Sequence, residues 1–296
     1  MSENEFYAEF ESEDTQKQQP LPEKLFGKKQ NYTPVHKFRG YCGGYTALAD
    51  DGTLVFVKRF DSCNKKYRDA IYLNEARFIP LLAKEGITPK LLDQGLYEPL
   101  IIQPFIEGQN LEDHISHNEL PSSSKTREIA IPLFKTAQKM HDHHITHRDL
   151  KSANIIIPHT GNSPNYKKPY IIDFGFAKRT GELDHLSDLF GTLNYQAPEQ
   201  MMGGTVDNRT DIYAGGIILH EILTGDVPFN ISNRPQLYRA KRKGPIKLEI
   251  EDERIAQALS KATEPDPQKR HQSFNEFIEA MQKRKFWGWL APKVGL

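Results

Sequence analysis

The chain has 296 residues, 38% of them apolar types, with 20 glycines besides; this suits one large or two modest packed domains and excludes disorder throughout. Lysine plus arginine and aspartate plus glutamate both number 39, so the formal net charge is zero and composition makes no electrostatic case for nucleic acid or a membrane surface as partner. Cys42 and Cys63 are too few for a disulfide framework and suit a reducing compartment. No apolar run approaches the roughly 20 residues of a membrane span.

Residues 1–32 read as a flexible acidic and polar tail, acidic at Glu3, Glu5, Glu9, Glu11, Glu13 and Asp14 and then rich in Gln, Pro and Lys. That acidity argues against a secretory signal, so a cytoplasmic site is expected. Short strands follow. Thr53–Lys58 comes after Asp50-Asp51-Gly52, a hairpin signal. Residues 65–84 read as a helix on the spacing of Tyr67, Ile71, Glu75 and Ile79, with Pro80 expected to bend or end it early. Leu100–Gln103 is another buried strand. Residues 125–144 read as helical through Ile129, Leu133, Thr136 and Met140, and Pro132 fits there only if the helix starts at that point. Asp211–Leu223 is apolar all round, which suits a core helix. Strands first and helices later make an α+β chain with a small β-rich lobe and a larger helical one.

The run His147-Arg148-Asp149-Leu150-Lys151-Ser152-Ala153-Asn154 is the most informative stretch. Ile155 to Ile157 follow it, and a second apolar pair, Ile171-Ile172, leads into Asp173-Phe174-Gly175. Two short strands would thus gather Asp149, Asn154 and Asp173 around one cleft. An isolated Asp-Phe-Gly is usually a turn, but the two motifs together are far more specific. In these residues the sequence resembles the eukaryotic-type (Hanks-type) protein Ser/Thr kinase family, over about residues 34–282.

The resemblance implies a bilobal protein kinase-like fold: an N-lobe over 33–103, a hinge over 104–108 and a C-lobe over 109–282 within a kinase domain of 33–282. It implies ATP-dependent transfer of the γ-phosphoryl group to protein Ser/Thr hydroxyls. Asp149 would be the base, and Lys151 would neutralise the migrating phosphoryl group. Asn154 and Asp173 would supply oxygen ligands to Mg²⁺, with Mn²⁺ as the alternative metal. Lys58, a charge ending an apolar strand, would hold the nucleotide phosphates and pair with Glu75. Gly40, Gly43 and Gly44 would form the phosphate-cradling loop, although their spacing departs from the family's pattern. Gln103 would be the gatekeeper, Pro104 and Ile106 would face adenine, and Asn110 would reach the ribose.

On the substrate side, Thr192 would bridge Asp149 and Lys151. Glu199 would pair with Arg270, and Asp211 would accept hydrogen bonds from the catalytic-loop backbone. Asp188 would pair with Arg148 and Lys178 in place of an activation-loop phosphate, with phosphorylation of Ser187 or Thr180 as the rival. His147 would pack with Phe174 and Ile79, a better use of the cluster His141, His143, His144 and His147 than metal binding. Arg239–Lys243 reads as a solvated loop, with a localisation or docking patch as the other reading.

The C-terminal 283–296 joins basic residues to both tryptophans. Membrane contact through 283–290 and packing on the helical lobe are the two readings. The expected partners are protein substrates, with no nucleic acid, and the expected assembly is a monomer or weak dimer. A cytosolic enzyme and an injected bacterial effector acting in a host cytosol are both compatible with the sequence. The rival functions are a pseudokinase binding scaffold and a small-molecule kinase of the same fold.

Overall fold

Residues 21–38, 43–60, 65–182, 192–204 and 206–282 are described by the computed structural model of the chain, the side chains of Phe38, Lys65 and Lys66 excepted. They divide into two units, Met1–Cys63 with Leu92–Phe105 and Asn64–Leu91 with Ile106–Leu296.

The first unit is an antiparallel sheet of β1 (Leu25–Phe26), β2 (Asn31–Phe38), β3 (Gly43–Ala49), β4 (Leu54–Arg59), β5 (Asp93–Gln94) and β6 (Leu100–Pro104), in the order β1-β2-β3-β4-β6-β5. The period of two in the strands sends Tyr45, Ala47 and Ala49 of β3 and Val55 and Val57 of β4 to one face. Leu100 and Ile102 complete that face from β6. The Asp50–Thr53 turn closes the expected hairpin, with the Gly52 amide donating to the Ala49 carbonyl at 2.9 Å.

The boundary of the N-terminal tail at residue 32 comes too late. Leu25 pairs with Tyr32 across β1 and β2, and both side chains are buried in the sheet's core. The Tyr32 hydroxyl donates to Asp93 at 3.0 Å, and the Lys29 amide donates to the same oxygen. Burial, with the Asp93 carboxylate beside it, pushes the Tyr32 phenol up to about 12. The flexible character expected of residues 1–20 and the two readings of 283–296 lie outside the described residues, as do Cys42 and Cys63.

The second unit carries α1 (Lys65–Lys84), β7 (Gly108–Asn110), α2 (Leu111–Ser116), α3 (Ser123–Asp142), β8 (Ile145–Thr146), β9 (Ile155–Thr160), β10 (Ser163–Pro164), β11 (Tyr170–Ile171) and β12 (Lys178–Arg179). It then continues through α4 (Pro198–Met201), α5 (Asn208–Thr224), α6 (Arg234–Arg242), α7 (Glu253–Ala262) and α8 (Phe274–Gln282). Helix α1, expected with the small lobe, groups here because Asn74 donates to the carbonyls of Gly175 and Ala177 at 3.0 and 3.2 Å and Arg77 pairs with Glu182. Neither proline stops its helix. Pro80 lies inside α1 on its exposed side, where a carbonyl left without an amide partner can turn to water. Pro132 lies inside α3, whose start is fixed ten residues earlier by the Ser122 cap on the Lys125 amide.

Helix α5 is buried along nearly its whole length, as its apolar sequence requires. Gly215 and Gly216 permit this: a Cβ at either would stand 2.8 Å from Phe274 or 2.6 Å from Thr263. Phe134 of α3 stacks on Phe274 and Phe277 of α8, at 5.3 and 4.7 Å between centroids.

His271 stacks on Phe277 at 5.0 Å and donates from Nε2 to the Ala258 carbonyl at 3.1 Å. Burial pushes its pKa down from 6.5 to about 4. The unfolded chain therefore takes up a proton, between those two values, that the folded chain refuses, so stability is full above the upper value and is lost as pH falls toward the lower. The loss is about 3 kcal/mol. Urea unfolding of His271→Gln across that window should show a shallower loss than the parent. Parallel curves would contradict the assignment.

Candidate active site

Helix α3 ends at the His143 cap, and His144 turns the chain with a left-handed φ of 58°. This delivers β8, which pairs antiparallel with β12, Thr146 opposite Lys178. The loop that follows is held mostly through its backbone. Arg148 and, further on, Asp173 have φ of 70° and 69°. Such conformations cost a non-glycine residue about 1–3 kcal/mol and persist only where the surroundings fix them.

Asp211, near the start of α5 and fully buried, does much of the fixing. Its two oxygens accept from the amides of His147 at 2.8 Å and Arg148 at 2.9 Å, and His141 Nε2 stands 2.9 Å away. Gln200 adds a second tie: its amide nitrogen donates to the Arg148 carbonyl at 2.8 Å, and its oxygen accepts from the Ala197 amide at 3.1 Å. The His147 ring lies 5.1 Å from that of Phe174 and donates from Nε2 to the Ile172 carbonyl at 3.0 Å. Its Nδ1 accepts from the Asp149 amide at 3.3 Å, which sets the tautomer. Ile79 is buried on α1. The histidines thus have separate uses, and His143 faces Glu85 at 3.8 Å.

Asp149 is 6% exposed. Its Oδ1 accepts from the Thr192 amide at 2.8 Å, and its Oδ2 lies 3.2 Å from the Lys151 ammonium and 3.3 Å from the Asn154 amide nitrogen. Lys151 also donates to the Thr192 hydroxyl at 2.6 Å. Burial opposes the Lys151 charge, but the Asp149 and Asp173 carboxylates outweigh it and its pKa is raised. The Asn154 side chain donates to the Asp149 carbonyl at 2.9 Å, and the Asn154 carbonyl accepts from the Ile172 amide at 3.0 Å, one residue before Asp173. Gly175 is required just beyond, because a Cβ there would stand 2.5 Å from Ile71. The same virtual atom lies 3.5 Å from Asp173 Oδ1 and 3.6 Å from Glu75 Oε1, so the two carboxylates flank one glycine.

Beneath the loop, the hydroxyls of Ser152 and Tyr195 both reach Glu221 of α5, at 2.8 and 2.7 Å. Burial pushes the Glu221 carboxyl up. Glu199 forms a two-pronged pair with Arg270, both contacts at 2.7 Å. The remaining donors of this buried guanidinium go to the carbonyls of Glu264, Arg209 and Pro265. Lys241, expected in a solvated loop, is fully buried on α6 while Arg239, Arg242 and Lys243 around it are exposed.

The other expected site residues are distributed as follows. Lys58 lies on β4 of the first unit, opposite Gly44 and Ile101, and Gly43 faces Arg59. Both glycines are thus strand residues. Gln103 is buried on β6 opposite Phe56, and Pro104 ends that strand opposite Val55. Glu75 is buried on α1, and Ile106 is half-buried in the second unit. Asn110 serves as a helix cap: its oxygen accepts from the Asp113 amide at 2.7 Å and its nitrogen donates to the Asp113 carboxylate at 2.8 Å. Gly40, Ser187 and Asp188 lie outside the described residues. Thr180 donates through its amide to the His144 carbonyl at 2.9 Å. The sequence reading did not single out Gln200, Ser152, Tyr195 or Glu221. Only Glu221, a charge beside the apolar run Ile212–Leu219 of a core helix, could have flagged one of them.

A family profile described as the protein kinase domain matches residues 45–286. A probable serine/threonine-protein kinase, PknB, of Lactococcus lactis is 32% identical over 194 residues, covering 64% of this chain and 30% of the relative. A probable serine/threonine-protein kinase of Clostridium perfringens is 30% identical over 224 residues, 72% of this chain and 32% of the relative. The serine/threonine-protein kinase PrkC of Bacillus subtilis is 29% identical over 187 residues, 62% of this chain and 28% of the relative. The chain thus spans about a third of the length of these relatives. Among the described residues no helix is long and apolar enough to cross a membrane.

Glu199→Gln would leave the Arg270 charge buried without its counter-charge. It should lower the unfolding free energy by about 3–5 kcal/mol in urea. A loss below about 1 kcal/mol would show the pair to be ornamental.

Proposed function

Because the chain belongs to the protein kinase domain family, we propose that it is an ATP-dependent protein serine/threonine kinase acting on Ser/Thr hydroxyls of other proteins. The observation that carries the reading is the Asp149 carboxylate held between the Thr192 amide, Asn154 and the Lys151 ammonium. A carboxylate so fixed can accept the proton of an attacking hydroxyl. The Lys151 charge beside it is placed to offset the negative charge of the group in transit, and phosphoryl transfer depends mainly on such positioning and charge. Thr192 ties the two together, so the base and the cation are oriented by one residue of the substrate-side segment.

Asn154 and Asp173 would hold the metal. The donor set fits: the Asn154 nitrogen is spent on Asp149, which leaves its amide oxygen, and Asp173 offers a carboxylate. Two hard oxygen donors suit Mg²⁺, which takes its other ligands from phosphate and water. When bound, the cation neutralises and orients the nucleotide phosphates. On the kinase resemblance alone, we assign Lys58 and Glu75 each to the nucleotide phosphates, and Gln103, Pro104 and Ile106 to the purine. We propose a cytoplasmic site of action, which a chain with only two cysteines suits.

The test is transfer of labelled phosphate from ATP and magnesium to a generic protein substrate. Asp149→Asn should fall about 10²- to 10⁴-fold with an unchanged melting temperature. Parent protein that binds ATP without transfer would make it a scaffold, and transfer to an aminoglycoside but not to protein would make it a small-molecule kinase.

A further inference from the structure

Lys241 is the most unexpected group in the second unit. Its side chain has no exposed area, yet among the described residues no carboxylate is within ion-pair reach. Its ammonium donates to the carbonyls of Leu193 at 3.0 Å, Asn194 at 2.8 Å and Gln196 at 2.6 Å. The rings of Tyr213 and Phe229 flank it at 5.4 and 5.5 Å. Burial presses its pKa down to about 7 against the pull of Glu199. Three acceptors match the three N–H bonds of the charged form, and a neutral amine could serve only two of them.

A buried ammonium is costly, and a residue of similar volume without charge would fill the space at lower cost. What the charge gains is the shape of one turn. The amides of Tyr195 and Gln196 both fold back on the Thr192 carbonyl, at 3.0 and 3.3 Å. That leaves the following carbonyls converging on the side facing α6. Thr192, at the head of the turn, grips Asp149 and Lys151, and Tyr195 within it is bonded to Glu221. Helix α6 is itself tied to α4, since Arg234 donates to the Met201 carbonyl at 2.9 Å.

We propose that Lys241 is a positioning residue for the protein substrate: its ammonium holds the Leu193–Gln196 carbonyls so that the segment after Thr192 presents a fixed surface to the acceptor chain. The proposal rests on the kinase reading above. It makes Lys241 matter for the protein acceptor and not for the nucleotide.

The experiment compares the parent with Lys241→Met and Lys241→Gln in two assays on the same preparations. One is phosphorylation of a protein substrate, giving kcat and KM; the other is ATP hydrolysis without an acceptor. Lys241→Met should lose at least tenfold in kcat/KM for protein, mainly through KM, with ATP hydrolysis within twofold of the parent. Lys241→Gln, which keeps two donors, should recover part of the loss. Should Lys241→Met fail to fold, the Gln variant is judged by the same split. Protein phosphorylation and ATP hydrolysis that fall together, or both persist, overturn the proposal, and so do two unfolded variants, since a structural role alone gives that. Parent protein that hydrolyses ATP but phosphorylates no protein overturns the kinase reading, and this proposal with it.

Discussion

Two hydrogen bonds that the buried Asp211 carboxylate accepts from the amides of His147 and Arg148 are the constraint on which the site depends. Charge-assisted bonds of this kind are among the stronger ones available inside a protein. They offset the left-handed φ of Arg148, and that turn in turn aims the next residue, Asp149, at Thr192. Without them the loop would relax toward ordinary backbone angles and the base would lose its place. The strain is local, and its compensation comes from a helix more than 60 residues further along the chain.

That helix, α5, explains how so many parts stay in register. Its middle, Ile212–Leu219, is apolar, and the buried polar residues on either side of it each serve a different segment. Thr210 donates to Glu199 at 3.1 Å and so supports the Arg270 pair. Asp211 holds the catalytic loop, and Glu221, ten residues on, collects Ser152 and Tyr195. Tyr213 lies beneath both Arg270 and Lys241. One rigid, buried element therefore fixes both the loop that carries the base and the turn that faces the substrate. Close packing makes such an arrangement unforgiving, because the glycines Gly215 and Gly216 leave no room for adjustment.

Much of this was legible from the sequence because the chemistry is local. His147 to Asn154 and Asp173 to Gly175 are short runs whose roles are written in residue type and spacing. The apolar stretch of α5 and the hairpin before β4 were equally plain. What was hidden depends on tertiary placement. Lys241 sits among exposed basic residues, and only the convergence of three distant carbonyls makes it a buried group. Leu25 and Tyr32 lie in a Pro- and Lys-rich stretch, so composition outweighed two residues that the sheet buries. The prolines in α1 and α3 were overruled because packing along a 20-residue helix outweighs one missing hydrogen bond. The Asn110 cap was missed because an Asn before the mixed stretch Leu111-Glu112-Asp113 reads equally well as a ligand and as a helix start.

The central claim is that Asp211 positions Asp149 through the backbone. It is tested most directly by the phosphoryl-transfer rate of Asp211→Asn at saturating ATP and protein substrate, measured well below the variant's melting temperature. The amide keeps one acceptor and confronts the other backbone N–H with a donor. A fall of at least 30-fold, with Asp149 itself untouched, is the result expected. A rate within threefold of the parent would contradict the account, because the base would then hold its place without the bonds said to put it there.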